Sequence, residues 1–289
     1  YGVYGNHELE SANNSMEYVT PRITNQNNNV VWGTQDGKIS SDGSIGYYYF
    51  DSKGFRVICT DTNYSFNPTK NIWQHNETCS FGPPSGNINV NALGPEQMKW
   101  LEDVLIDSAN EKIPCIVVSH ASLNAKFADA SSQADIIAEL FNRVNEIREG
   151  TIIASLSGHS HLNRMEVMDN IAHISVNTTR NGWWWIMNGQ QHYTDETFIQ
   201  VKYDDNGDPI NGSGESVLLS SLIQGPNTWF FADPLNCVVS VSSTGEIEVE
   251  GMQSEWLYGI EPDIQNNSTI MPYAVPYISN ASFDLTFKN

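Results

Sequence analysis

Three features of the chain predict an α/β fold. Continuous apolar runs at 113–119 and 151–156 have the character of strands buried on both faces. A helical-period pattern precedes each of them, through Met98, Leu101, Val104 and Leu105 in one case and Ile137, Leu140, Phe141 and Val144 in the other. Such alternation of helix and strand builds a parallel sheet. Third, the chemistry-bearing segments directly follow strand-like stretches: Gly5-Asn6-His7-Glu8 after 1–4, His120 after 113–119, and Gly158-His159-Ser160-His161 after 151–156. Open α/β sheets carry their ligands there, beyond the carboxyl ends of their strands.

In chain order, residues 1–4 read as the end of a strand, and 9–45 as a long polar loop with turn signals at Gln35-Asp36-Gly37 and Ser41-Asp42-Gly43. Residues 45–50 alternate, Ser52-Lys53-Gly54 turns the chain, and 55–59 runs apolar, which predicts a β-hairpin feeding the central sheet. Residues 63–92 have loop character. Pro95 fits a first helical position, where its missing N–H costs nothing. Beyond the second helix and its strand, 165–168, 172–176 and 198–203 are predicted as strands of a second sheet, and 238–241 with 246–249 as a hairpin. Asp205-Asn206-Gly207-Asp208 has the wrong carboxylate spacing for a calcium loop and reads as a turn. The expected organisation is a main domain over 1–260 and an irregular C-terminal extension over 261–289 packed on it.

Charge and composition exclude several functions. A net charge of −20, from 14 Lys and Arg against 34 Asp and Glu, argues against a nucleic-acid scaffold-binding role and against adhesion to anionic membranes. No uninterrupted apolar stretch reaches the roughly 18 residues a membrane span needs. An anionic substrate would therefore need locally bound cations. The four cysteines, Cys59, Cys79, Cys115 and Cys237, form no Cys-x-x-Cys pair, which excludes a zinc knuckle. Cys59 and Cys115 fit small core residues, whereas the contexts of Cys79 and Cys237 leave a disulfide open. Abundant Asn, Ser, Thr and Trp with little Lys point to a secreted or cell-envelope protein. A chain that starts without Met is expected to derive from a longer one.

The ordered set Gly5-Asn6-His7-Glu8, His120 and Gly158-His159-Ser160-His161 resembles the later motifs of the calcineurin-like metallophosphoesterases. The hairpin ending in Thr60-Asp61-Thr62 and the helix start at Leu93-Gly94-Pro95-Glu96 are similar to that family as well, over residues 1 to about 255. The family's earlier Asp-x-His and Gly-Asp-x-x-Asp blocks are not present. The resemblance thus implies a sandwich of two packed mixed β-sheets flanked by helices, incomplete at its N-terminus by a strand, a helix and a strand.

Carried onto this chain, the resemblance makes Asn6, His120 and His159 ligands of one metal, His161 a ligand of a second, and His7 the proton-handling residue near the leaving group. Imidazole and amide ligands leave a metal electron-poor. Two divalent ions about 3.5–4 Å apart can clamp both oxygens of an in-line displacement and lower the pKa of the water between them. The implied function is hydrolysis of a small-molecule phosphoester with Mn, Fe or Zn as cofactor, impaired here by the missing ligands. The alternative is a non-catalytic remnant of the fold acting as a binding module. Gly158 is expected to permit a backbone conformation or close approach that a Cβ would block. Trp183-Trp184-Trp185 cannot share one strand face, and reads as core or loop packing or as a substrate-stacking rim. Arg22, Arg164 and Arg180 read as surface or structural arginines rather than phosphate clamps.

Overall fold

A computed structural model describes residues 3, 31–33, 46–75, 86–127, 129–176, 198–203, 209–211, 215–218, 232–233, 235–242, 244–256 and 275–285. A central seven-stranded sheet organises the molecule. Its strands are β1 (Val31–Trp32), β2 (Tyr48–Ser52), β3 (Phe55–Cys59), β7 (Cys115–Val118), β8 (Ile152–Ser157), β9 (Arg164–Met168) and β10 (Ile171–Ser175), in the spatial order β1-β2-β3-β7-β8-β10-β9. The sheet is mixed. β3, β7, β8 and β10 run parallel, and antiparallel pairs close both edges, β1 and β2 on one side and β9 on the other.

Helices α1 (Pro95–Glu111) and α2 (Ala134–Ile147) are the crossovers leading into β7 and β8. They cover one face of the sheet because each carries one apolar stripe: Leu101, Val104 and Leu105 on α1, and Ile137, Leu140, Phe141 and Val144 on α2. These side chains pack with Ile58, Cys115, Val117, Ile152 and Ile171. Most strand residues in between point the opposite way, following the two-residue period; Ile153 and Ala154, adjacent in β8 where its register with β7 shifts, both join that side. Ile153, Ala154, Ala172 and Ile174 pack against a second sheet of β14 (Cys237–Val241), β15 (Glu246–Gly251) and β16 (Ala281–Asp284), through Ile247 and Val249. The result is an α/β sandwich with helices, mixed sheet and second sheet in layers. The described strands of the second sheet pair antiparallel.

Both helices end on identifiable contacts. Lys112 adopts the left-handed conformation after α1, and its N–H returns to the last turn. After α2, the Asn145 side chain accepts from the Ile152 amide at 2.8 Å and donates to the Ile152 carbonyl at 3.2 Å, which fixes the entry to β8.

Three expectations are corrected. Residues 165–168 and 172–176 fall on β9 and β10 of the central sheet, because β10 completes its parallel ladder on β8. Loop character at 63–92 gives way to a three-stranded sheet of β4 (Tyr64–Asn67), β5 (Ile72–His75) and β6 (Ile88–Ala92), in the order β5-β4-β6. And the C-terminal stretch is not irregular throughout: β16 is the third strand of the second sheet, and Ile278 and Leu285 are buried in the core beside it. The strand expected at 198–203 is present as β11 (Phe198–Tyr203), paired with β12 (Pro209–Asn211) and β13 (Glu215–Leu218). Among the described residues no helix is long and apolar enough to cross a membrane. Cys59 and Cys115 are buried free thiols, and Cys237 is also free.

Candidate metal centre

The loops leaving β3, β7 and β8 meet at the carboxyl ends of the parallel strands. The Gly158 amide donates to the His120 carbonyl at 2.9 Å, the Ser119 amide to the Leu156 carbonyl at 3.0 Å, and the Ala121 amide to Thr62 Oγ1 at 3.1 Å. Backbone hydrogen bonds thus tie the His120 turn to the Gly158–His161 turn on one side, and the Thr62 hydroxyl ties it to the β3 exit on the other.

The imidazoles of His120 and His159 meet there. His120 Nε2 and His159 Nδ1 are 3.0 Å apart, with ring centroids at 4.7 Å and planes tilted by 60°. On its other side, His159 Nε2 contacts the Asn91 amide nitrogen at 3.2 Å. His161 follows two residues along the same turn, half-buried, with Nδ1 enclosed by protein. Asn6 and His7 lie outside the described residues.

The backbone of this turn is unusual. His159 has φ 64° and His161 has φ 53°, both in the left-handed region, which costs a non-glycine residue about 1–2 kcal/mol. Strain of this kind collects where a fold positions side chains for function. The role expected of Gly158 is corrected. A Cβ there would find its nearest neighbour, the Val176 carbonyl oxygen, at 4.0 Å, and its φ is not in the left-handed region. The neighbouring histidines carry the unusual conformation instead.

Could these residues hold a metal? Two nitrogens each about 2.0–2.1 Å from one ion can stand 3.0 Å apart, so the His120–His159 pair fits a shared cation as well as it fits a hydrogen bond. Imidazole suits zinc and iron. Among the described residues no cluster of three or more His, Cys, Asp or Glu side chains completes a cation site. The third ligand that the motif resemblance names, Asn6, lies outside the described residues.

Two features escaped the sequence. Asn91, with φ 53°, belongs to no motif and touches His159 only because β6 is brought beside the turn. Asp61 and His75 form a buried pair, His75 Nε2 to Asp61 Oδ2 at 2.9 Å, their side chains 0% and 3% exposed respectively. Asp61 also accepts from the Asn63 amide at 2.9 Å. Gln97 staples this loop to α1, accepting from the Asp61 amide at 2.8 Å and donating to the Asp61 and Leu93 carbonyls. The pairing of Asp61 with a histidine on β5 was hidden because β5 itself was not foreseen. Arg164 has a structural role, as expected: it pairs with Glu166 at 3.3 Å, donates to the Lys126 carbonyl, and lies 4.7 Å from the centre of the Phe127 ring. Arg22, Arg180 and the three consecutive tryptophans lie outside the described residues.

No family model and no curated protein matches the chain. Among solved structures it is similar to a dimetal phosphatase from Danio rerio, at 12% identity and a TM-score of 0.47, over 89% of this chain and 71% of that one. It is similar to GAP50, the anchor in the inner membrane complex of Plasmodium, at 14% identity and a TM-score of 0.30, over 67% of this chain and 44% of that one. A putative 5'-nucleotidase from Staphylococcus aureus aligns at 13% identity and a TM-score of 0.32, over 91% of this chain and 38% of that one. The chain therefore spans less than half the length of the last two.

Proposed function

We propose that this protein is a metal-dependent phosphoester hydrolase of the calcineurin-like type. The observation that carries the reading is the 3.0 Å approach of His120 Nε2 to His159 Nδ1 at the ends of adjacent parallel strands. It brings together two residues that the motif order assigns to one cation, 39 positions apart in the chain. In this reading His120, His159 and Asn6 hold one divalent ion, and His161 contributes to a second. Mn, Fe and Zn are the candidates. When bound, such ions supply Lewis-acid charge at phosphorus and a water acidic enough to act near neutral pH.

The protein's own groups do the rest. Asn91 sets the tautomer of His159: with its amide nitrogen donating to Nε2, a neutral ring carries its proton on Nδ1, toward His120, and for Nδ1 to bind a cation the amide must instead turn its oxygen to accept from Nε2–H. The strained turn fixes both histidine side chains relative to the sheet. His7 handles the proton of the leaving oxygen, as general acid. The substrate is a small phosphoester, and binding of the anion at a chain of charge −20 depends on the cations.

The test combines hydrolysis and metal binding. Chromogenic phosphomonoester and phosphodiester substrates are assayed with Mn²⁺, Zn²⁺ or Fe²⁺, and metal content is measured by elemental analysis. His120→Ala, His159→Ala and Asn6→Ala are expected to lower activity about tenfold or more and to weaken metal retention. Metal retention unchanged in the His120→Ala/His159→Ala double variant would sink the proposal. A second reading, a binding module of this fold without catalysis, is favoured by one observation: among the described residues no carboxylate joins the histidine pair. It predicts the same fold and no turnover with any of the three metals.

A further inference from the structure

A cavity of about 400 Å³ lies between the small β5-β4-β6 sheet and the start of α1, outside the histidine centre. Its volume falls in the roughly 300–1,000 Å³ range of small-molecule sites. Three aromatic side chains, Tyr47, Tyr64 and Trp73, wall it together with Pro95, and Glu96 stands exposed in the lining.

The positions of two of these rings are built into the backbone. Gly33 leaves room for Tyr47, because a Cβ on it would sit 1.8 Å from Tyr47 Cε2. Gly94, at φ 72°, lets the N-terminus of α1 come under Tyr64, whose ring would be 3.0 Å from a Cβ there. Tyr64 is braced in turn by His75, edge to face at 5.0 Å, and His75 by its bond to Asp61. A second lock acts on Tyr47: Trp100 packs on it at 4.8 Å.

The polar groups narrow the ligand further. No lysine or arginine is among the described residues lining the cavity, so none of those residues clamps a phosphate or carboxylate. Glu96 offers a carboxylate acceptor and Gln74 an amide. The Tyr47 hydroxyl remains a donor, since burial first, and the Glu96 and Asp61 carboxylates next, push its pKa up to about 12. Aromatic walls with acceptors and a neutral donor match a flat ring whose edge carries both kinds of hydrogen-bonding group.

We propose that this cavity binds an uncharged, amino-bearing heteroaromatic ring of the nucleobase type. The site stands independently of the phosphoesterase reading, although β6 connects the two: Asn91 touches His159, and Leu93, two residues on, lines the cavity.

Calorimetric titration of the full chain with adenosine, without added metal, tests the proposal apart from any hydrolysis. Adenosine is expected to bind saturably at one site, and ribose not at all. Trp73→Ala should weaken adenosine about fivefold or more, the loss of one stacking partner. Glu96→Gln, a change at an exposed position, should weaken adenosine about threefold or more while leaving purine riboside, which lacks the amino group, within about twofold. Both variants are checked by thermal unfolding, and the adenosine-to-ribose comparison needs neither. Absence of saturable binding by adenosine or cytidine, or wild-type affinity in both variants, overturns the proposal. Choline binding tighter than adenosine also overturns it, in favour of a cation cage.

Discussion

His173 on β10 makes the central sheet sensitive to acid. Its side chain lies on the helix-covered face, opposite Glu166 on β9 and Ser155 on β8, with the Phe127 ring at 6.4 Å. Only 5% of the residue is exposed, and Nδ1 is buried with no hydrogen-bond partner among the described residues. Burial pulls its pKa from 6.5 down to about 4, with Glu166 and Asp169 opposing the shift. The folded state therefore holds His173 neutral, while the unfolded chain takes up the proton as the pH falls through 6.5. The stabilisation from keeping it neutral is complete above that value and is lost between 6.5 and about 4. At 1.36 kcal/mol per pKa unit the full loss is about 3 kcal/mol, and about 2 kcal/mol of it falls between pH 7.5 and 5. Urea unfolding of wild type and His173→Leu at intervals across that range isolates the effect, because the other titrating groups cancel in the difference. The wild-type curve should fall more steeply by close to one proton. Parallel curves, or an imidazole that titrates near 6.5 by NMR, would refute the assignment.

Gly251→Ala should destabilise by about 2–3 kcal/mol or more, read as a lowered urea midpoint, because a Cβ at Gly251 would meet the Ile278 carbonyl oxygen at 1.9 Å, where β15 meets the 275–280 segment. Thiol mapping under native conditions should label Cys237 ahead of Cys59 and Cys115, whose pKa values burial raises to about 11 and about 12; equal labelling of all three would show that the sheet opens readily. His159→Gly should be more stable than His159→Ala by about 0.5–1 kcal/mol, the relief of a left-handed backbone less the extra entropy of glycine. Equal urea midpoints for those two variants would mean that the turn is unstrained.

The α/β class was legible because its signals are long. The runs that became β7 and β8 and the stripes of α1 and α2 each repeat over several residues, so local pattern and tertiary burial agree. β4, β5 and β6 failed that test. They have four or five residues each, are only partly buried, and are separated by Asn-, Pro- and Gly-containing stretches, so their pairing with one another, not their composition, makes them strands. The cavity and the Asp61–His75 pair depend on that small sheet and were hidden with it. C-terminal strand β16 was missed for a similar reason. Its four residues are strand because β15 supplies an edge and Ile278 and Leu285 anchor either end in the core.

The histidine motifs are a different case, since residue identity was visible and backbone shape was not. Gly-His-Ser-His places the only glycine at Gly158, where the eye expects the special conformation, yet the left-handed residues are His159 and His161. Ser160 between them is nearly buried, and its amide closes on the Gly158 carbonyl at 2.8 Å. The alternation follows from the neighbours. Gly158 is already committed to the His120 carbonyl, and Val176 to the Ser157 carbonyl at 2.9 Å, so the chain leaving β8 is held at both flanks and must turn within three residues. At about 1–2 kcal/mol for each left-handed residue, a turn of this shape persists only where the surrounding ladder over-determines it. The same ladder delivers His120 from the adjacent strand to the same point. Sheet register, more than the motif, therefore decides that the two imidazoles meet.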